Sequence, residues 1–505
     1  MNQRKAGVAL SYISMGLSSI IALVYVPMLL YYLTKDQYGI YQLMGSLIAY
    51  LSIMDFGLAN ATTRYLSQAY ATQNTQRAQK IIDTSHTLYL FISVILVALG
   101  SIFYLFITPL YGNTLSAQDL LIAKHIFLIM LLNIAVAIPS HIFIAAINAQ
   151  EQFVFLRGMN VVKVLLQPLL VWGILAWKAS VLNLVLTQTV FNLCMILVNY
   201  MYCKRKLRLC FAFNIRDTVL MKELTGFSVF VFLHAVMNQV YWRLGQVILG
   251  AVSGAAAVAT YSVAMQFINF STSLPATLGG VFLPKLSALS THINSLTEIN
   301  AYFCKVSRLQ FMFIMLLFMG FSFLGKTFIA LWVGPSYELC YYIALIIMAA
   351  YIIDVSQNIG IPLLQALKKH AFRAYVYLAM AGLNIALSIP LAKRYGEIGC
   401  ATATAICLTL GSGFAINWYY HHIGLDLKLF FKNLFQLSKP LILACMLIGV
   451  GNYFFPLRTD WISLVIHGVG LTATYGACMW LFGFNQYEKN LFIQPLTYVL
   501  RILKR

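Results

Sequence analysis

Acidic residues are scarce in this chain: Asp and Glu number 14 in 505 positions, and charged residues of both signs make up 10%, where an ordinary soluble domain carries about 25%. So little charge excludes a conventional water-soluble protein. The nine Cys stand singly in apolar runs with no CxxC pair, so they read as small buried hydrophobes and supply neither a disulfide framework nor metal-ligand spacing. HExxH, glycine-rich phosphate loops and paired acids are also missing. Their absence removes the familiar enzyme constellations and leaves only a site built of intramembrane residues. No cofactor and no metal are expected.

What the chain has instead is long apolar sequence. Hydrophobic residues make up 61% and mean hydropathy is +0.81. A span needs roughly 20 apolar residues, and the runs between polar breaks give about 14 spans. Eight are expected at about 9–33, 39–62, 84–108, 121–147, 158–177, 181–203, 226–250 and 255–283. Six follow at about 306–333, 339–366, 374–392, 398–420, 438–456 and 461–483. The runs from 374 and 438 are barely long enough, so the range is about 12 to 14. The first run exceeds the roughly 7 to 15 residue core of a secretory leader and lacks a small-residue cleavage site before Lys35, so it is expected to stay as a span. The expected fold class is an all-α polytopic membrane protein.

The formal net charge of +20 acquires meaning from its placement. With the N-terminus cytoplasmic, about 26 of the 34 Lys and Arg fall on the cytoplasmic side and its span ends, and the basic C-terminal tail falls there too. Lys204, Arg205, Lys206 and Arg208 mark a cytoplasmic linker over 204–225 whose expected partners are anionic membrane lipids. No aromatics interleave with this block as single-strand recognition would require, so no nucleic-acid partner is expected. The longest outer loop, at about 109–120, leaves no extracytoplasmic domain for a polymerase or transferase site.

An internal repeat organises these spans. LLYYLTKDQYGIYQLM (29–44) sets Leu29 on Leu249 and Tyr41 on Tyr261 of ILGAVSGAAAVATYSVAM (248–265), an offset of about 220. INAQEQFVF (147–155) falls on LQALKKHAF (364–372) at about 217. The offset equals six spans, an even number that preserves orientation. The expectation is two six-helix lobes, 1–203 and 226–420, related by a parallel pseudo-two-fold repeat, with two additional helices and a basic tail over 421–505. Such repeats place a substrate site between lobes and let one rock on the other, although old duplications also persist in channels and receptors.

The residues also carry a resemblance. Pro27 in the first span, the turn KDQYGIY (35–41), DFGL (55–58) and the basic Arg64 shortly after resemble the polysaccharide transport family of the multidrug, oligosaccharidyl-lipid and polysaccharide exporter superfamily. WRLGQVILGAVSGAAAVATYSVAMQF (242–267) and GVFLPKL (280–286) are similar to the start of the second lobe in oligosaccharide flippases. The resemblance covers nearly the whole chain by topology. It implies twelve helices in two lobes around a central cavity plus two more, and a flippase, not an enzyme. The implied cargo is a lipid-linked oligosaccharide on undecaprenyl diphosphate, moved from the inner to the outer leaflet of the bacterial cytoplasmic membrane. It serves surface polysaccharide assembly (O-antigen, capsule or exopolysaccharide) by ion-coupled alternating access. Glycosyltransferases and a polymerase of the same pathway are the implied partners, and the flippase is expected to work as a monomer. One departure is Gly245, where many relatives carry an acid.

A diphosphate headgroup needs cationic and hydrogen-bonding partners. Arg64 and Lys285 end the second and eighth spans as near-equivalents in the repeat, so they either capture the diphosphate or snorkel to headgroups. Arg243, near the outer end of the seventh span where Lys and Arg are scarce, is the best single candidate for substrate binding. Lys163, about five residues inside the fifth span, either lines the cavity or snorkels. Asp55 and Asp354 are the acids deepest in their spans, read as ion-coupling groups or as packing links, for example Asp55 with Arg64 or with a neighbouring span. His141 and His234 are also intramembrane and read first as helix-to-helix links. Three other functions remain in view: a multidrug exporter of the same superfamily, whose cationic substrates fit a basic site poorly; a lipid II flippase, which carries charges in its first span where the run 6–34 has none; and a membrane polysaccharide polymerase.

Overall fold

The computed structural model describes the chain from Gln3 to Ile493 except residues 56, 214–216, 290–294, 367–370 and 492. Side chains are described at the same positions except 4–5, 218, 225–238, 240–241, 273–289, 295–296, 365–366 and 371. All regular structure among the described residues is helical.

The first seven helices are α1 (Gln3–Tyr32), α2 (Lys35–Ser52), α3 (Leu58–Ala71), α4 (Thr75–Tyr111), α5 (Ala117–Ala149), α6 (Phe153–Trp177) and α7 (Val181–Arg205). After the basic segment come α8 (Thr218–Val252), α9 (Ala255–Leu289), α10 (Ser295–Trp332), α11 (Leu339–Ser356) and α12 (Gly360–Ala366). The chain closes with α13 (Ala371–Leu408), α14 (Ile416–His422), α15 (Leu427–Phe454) and α16 (Trp461–Cys478).

Eleven stretches among the described residues are long and apolar enough to cross a membrane. One of them, Phe372–His422, runs for 51 residues and holds two of the expected spans on either side of Gly396, whose φ of 58° breaks the helix. The expected spans at 226–250 and 255–283 coincide with α8 and α9. Large apolar side chains stay exposed along these helices, Phe91, Val94 and Leu105 on α4 among them. Apolar faces so long and unpartnered need lipid around them, and the chain is a multi-pass membrane protein.

Several helix starts carry a side-chain cap, where orphan N–H groups need acceptors. Thr34 caps α2 with Gln37 in a reciprocal box. Asn74 caps α4, Ser116 caps α5, Asp217 caps α8, Asp426 caps α15 and Asp460 caps α16.

Two expected spans are not continuous. The run 39–62 is interrupted where α2 ends, a 3-10 turn covers Ile53–Asp55, and Gly57 takes φ 67° before α3 starts. Only glycine adopts that conformation without strain, which gives the glycine of DFGL a structural reason. The run 339–366 is interrupted at 357–359, between α11 and α12, where a Cβ on Gly360 would collide with the Tyr420 hydroxyl.

By contact the chain falls into two compact units, 1–263 with 381–400 and 264–380 with 401–505. In the first, α1 packs on α6, α5 on α4 and α7, and α8 lies against α2, α3 and α4. The capped start of α2 meets the start of α9 so closely that a Cβ on Gly39 would overlap the Ala255 carbonyl. In the second unit α10 packs on α11, α15 and α16.

The contact at Gly39 is testable. Gly39→Val forces overlap with backbone, an overpacking cost of about 1 to 3 kcal/mol, and should lower the thermal midpoint of the detergent-solubilised protein by about 1 to 3 °C. Gly16→Val, with nothing within 4 Å of its Cβ, should leave the midpoint within error.

Candidate functional site

Within the first unit a polar group assembles on the inner faces of α2, α7, α8 and α9. Gln246 on α8 is 3% exposed and ties three helices together. Its carbonyl accepts from the Ser46 hydroxyl of α2, and its amide donates to Ser262 Oγ of α9 at 2.9 Å. A buried amide satisfied on both sides fixes the register of its neighbours.

Arg243, one helical turn earlier, is half-buried and reaches the same Gln246 oxygen from Nη1 at 3.4 Å. Tyr41 and Tyr50 lie within its electrostatic reach. The Tyr41 hydroxyl meets the Gln188 amide of α7 at 3.2 Å, and Gln188 Nε2 donates to the Tyr25 hydroxyl at 2.9 Å. A guanidinium has five N–H donors, and among the described residues Arg243 makes one long hydrogen bond and no ion pair. An apolar bundle therefore holds a permanent cation beside phenols and amides with most of its donors uncommitted. That arrangement suits an anion with many acceptor oxygens.

The other basic candidates are placed differently. Arg64 on α3 and Lys163 on α6 are exposed side chains. Lys285 falls within α9, but its side chain lies outside the described residues, as does that of His234 on α8.

The two deep acids both sit at the interrupted helices, with different partners. Asp55, in the 3-10 turn, meets His141 Nδ1 of α5 at 3.0 Å and lies against Tyr89 of α4. Its neighbouring-span partner is thus His141. The pair stays partly accessible, at 23% for Asp55 and 35% for His141. Asp354, three residues before the break after α11, is sealed in the second unit. Arg373 Nη2 is 3.5 Å from it, and that guanidinium also donates to Tyr377 and Tyr420 at 2.9 and 3.2 Å. Tyr377 and Tyr351 complete a ring of phenols about the acid.

Sequence reasoning missed Arg373, Gln188 and Gln246. Arg373 stands at the edge of a marginal span, where a basic residue looks like a topological anchor. Tyr41 had a signal, since it is a landmark of the repeat with Tyr261. Tyr261 itself accounts for the departure at Gly245: a Cβ there would meet the Tyr261 ring and hydroxyl at 2.7 Å, so the aromatic occupies the space an acid would need. Among the described residues no three His, Cys, Asp or Glu side chains gather to hold a metal ion.

Comparison with known proteins places the family and the fold. Residues 5–290 match the family described as "Polysaccharide biosynthesis protein". A Shigella flexneri protein named "Putative O-antigen transporter" is 21% identical over 399 residues, covering 77% of this chain and 90% of the relative. Among solved structures, the lipid II flippase MurJ in an inward closed conformation aligns with a TM-score of 0.70 at 16% identity, covering 97% of this chain and 100% of that one. An inward-facing multidrug resistance MATE family transporter of the MOP superfamily aligns at 0.61 and 9% identity, covering 81% and 98%. At these identities the two structures share the fold. All three are transporters or flippases by name, and none is an enzyme.

The sealed acid gives a stability prediction. Arg373→Gln leaves Asp354 buried without its counter-charge, which typically costs about 3 to 5 kcal/mol, and should sharply reduce the yield of folded protein on size-exclusion chromatography. Adding Asp354→Asn should restore most of the yield. Asp55→Asn, at a partly accessible site, should leave yield and elution nearly unchanged.

Proposed function

This chain belongs to the polysaccharide biosynthesis protein family, and from that premise we propose that it is a flippase for a lipid-linked oligosaccharide on undecaprenyl diphosphate. In this reading it works in the bacterial cytoplasmic membrane with both termini cytoplasmic, and moves the glycan from the inner to the outer leaflet for surface polysaccharide assembly. The observation that carries the reading is Arg243, a half-buried cation with one long hydrogen bond and no acidic partner among the described residues. A diphosphate supplies the negative oxygens its free donors lack, in charge-assisted bonds about twice as strong as neutral ones. The part-exposed Tyr41 and Tyr50 beside it offer phenol oxygens and ring faces to the sugars, while the polyprenyl tail stays in lipid. Arg64, Lys285 and Lys163 then serve earlier, drawing the headgroup toward the site.

Site access alternates between the two faces of the membrane, driven by an ion. Asp55 with His141 is the better coupling group, because an accessible acid beside a titratable ring exchanges a proton or a cation without breaking a buried ion pair. Asp354 takes part only if Arg373 releases it. Interrupted helices at both acids fit this role, since transporter ion sites commonly form where helices are discontinuous.

The alternatives separate on chemistry. A cationic drug would meet an uncompensated arginine at this site, which disfavours a multidrug exporter. A lipid II cargo shares the diphosphate, so the charge-free first run 6–34, not Arg243, argues against it. A polymerase would need a reacting pair that the described polar groups do not form.

Arg243→Ala should accumulate in the membrane like the wild type, yet reduce surface polysaccharide at least about tenfold, the loss expected for one charge-assisted contact of about 1.5 kcal/mol or more. Arg243→Lys should retain part of the activity. Mass spectrometry of lipid-linked sugars with leaflet sidedness should find unpolymerised units held on the cytoplasmic face. Normal surface polysaccharide would overturn the reading, and single units exposed outside would indicate a polymerase.

A further inference from the structure

The second compact unit holds a cavity of about 550 Å³ walled by α10, α15 and the turn after the π-helical segment Met479–Gly483. Its polar lining comes from Lys305, Arg308, Asn433, Gln436 and Lys439. This site is separate from the groups around Arg243 and does not depend on the transport reading.

The charge balance of the cavity decides what it can hold. Arg308 is 7% exposed and committed: Nε and Nη2 grip Glu488 at 2.7 and 3.1 Å, and Nη2 also reaches the Gly483 carbonyl at 3.0 Å. Glu488 is 1% exposed and held in turn by the Asn485 amide at 2.9 Å. This fork cancels one positive charge with one negative charge and fixes the cavity floor. Asp426, electrostatically coupled to Cys304 on the same wall, is engaged as the N-cap of α15 through the Leu429 amide at 2.9 Å.

Two cations remain without an acid. Lys305 is exposed, and its amine stands 5.0 Å over the Tyr487 ring. Lys439 is exposed on α15, one turn from Gln436. Neither forms an ion pair with a described residue. Two lysines and two side-chain amides around one space present donors to a single small anion, and a phosphate ester has the oxygens to accept from all of them.

The surroundings say what carries the phosphate. Phe482, on the cavity wall, is 67% exposed, and Leu481 before it and Phe435 before the lining residue Gln436 are 68% and 71% exposed. A free phosphate gains nothing from apolar side chains. A phospholipid does, because its acyl chains lie along such a face while the headgroup enters the polar space. We propose that the cavity between α10, α15 and the 479–485 segment binds the phosphate headgroup of an anionic membrane lipid, with Lys305 and Lys439 as its charge partners.

Native mass spectrometry of the detergent-purified full chain tests this with three probes: phosphatidylglycerol, phosphatidylcholine and inorganic phosphate. The wild type should retain phosphatidylglycerol in preference to phosphatidylcholine, and millimolar inorganic phosphate should not displace it. The double variant Lys305→Gln with Lys439→Gln removes two surface charges and leaves the Arg308–Glu488 pair intact. It should bind phosphatidylglycerol about thirtyfold more weakly, as expected for two basic residues near an anionic surface, with phosphatidylcholine binding unchanged. Gln436→Glu, a single exposed change that adds negative charge to the same space, should weaken phosphatidylglycerol in the same direction should the double variant fold poorly. Equal retention of the two lipids by the wild type, undiminished phosphatidylglycerol binding in the variants, or displacement by inorganic phosphate would each overturn the proposal, the last by assigning the site to the free anion.

Discussion

A charge inside an apolar bundle must have a partner or a purpose, and this fold is arranged around that constraint. Asp354 is matched by Arg373, Arg308 by Glu488, and Asp55 by His141. Gln246, a neutral residue, is nonetheless bonded on both ends of its amide. Beside these paired charges, the single long hydrogen bond of Arg243 is conspicuous. There the described residues of the first unit place phenols and amides around a half-buried guanidinium and supply no counter-ion.

The same constraint explains where helices stop. Unwinding a helix in a low-dielectric setting frees backbone groups that need partners, and both interruptions lie beside an acid. At the first, Gly57 turns the chain through a left-handed conformation and Asp55 projects toward His141. At the second, the Gln357 amide donates to the Ser412 carbonyl at 2.7 Å, in a π-helical stretch that itself displaces carbonyls from the regular ladder. The two sites differ in access: one acid can meet water, and the other is enclosed by tyrosines.

Much of the fold was legible because a membrane span is a one-dimensional signal. Apolar length located nearly every helix, and the basic block that starts at Lys204 coincides with the end of α7 at Arg205. The interruptions were passed over although each left a mark: Asp55 and Gly57 at the first, and Ser356, Gln357, Asn358, Gly360 and Pro362 at the second; the apolar residues on either side made each run long enough to read as one span. Partner choice was also hidden. His141 lies 86 positions from Asp55, Glu488 lies 180 from Arg308, and such pairs follow from helix packing register, which periodicity alone does not set. Arg243 drew attention for a different reason: it is a basic residue inside an apolar run, which the sequence displays without knowledge of its neighbours.

The Arg308–Glu488 pair has a consequence for biogenesis. With translation at about 5 to 20 residues per second, the 180 positions between them mean that Arg308 waits roughly 10 to 40 s for its carboxylate. Through that interval α10 carries a cation that it cannot bury. Glu488 thus acts as a latch on a helix made long before it, and α10 gains its buried ion pair only when the segment after α16 has docked.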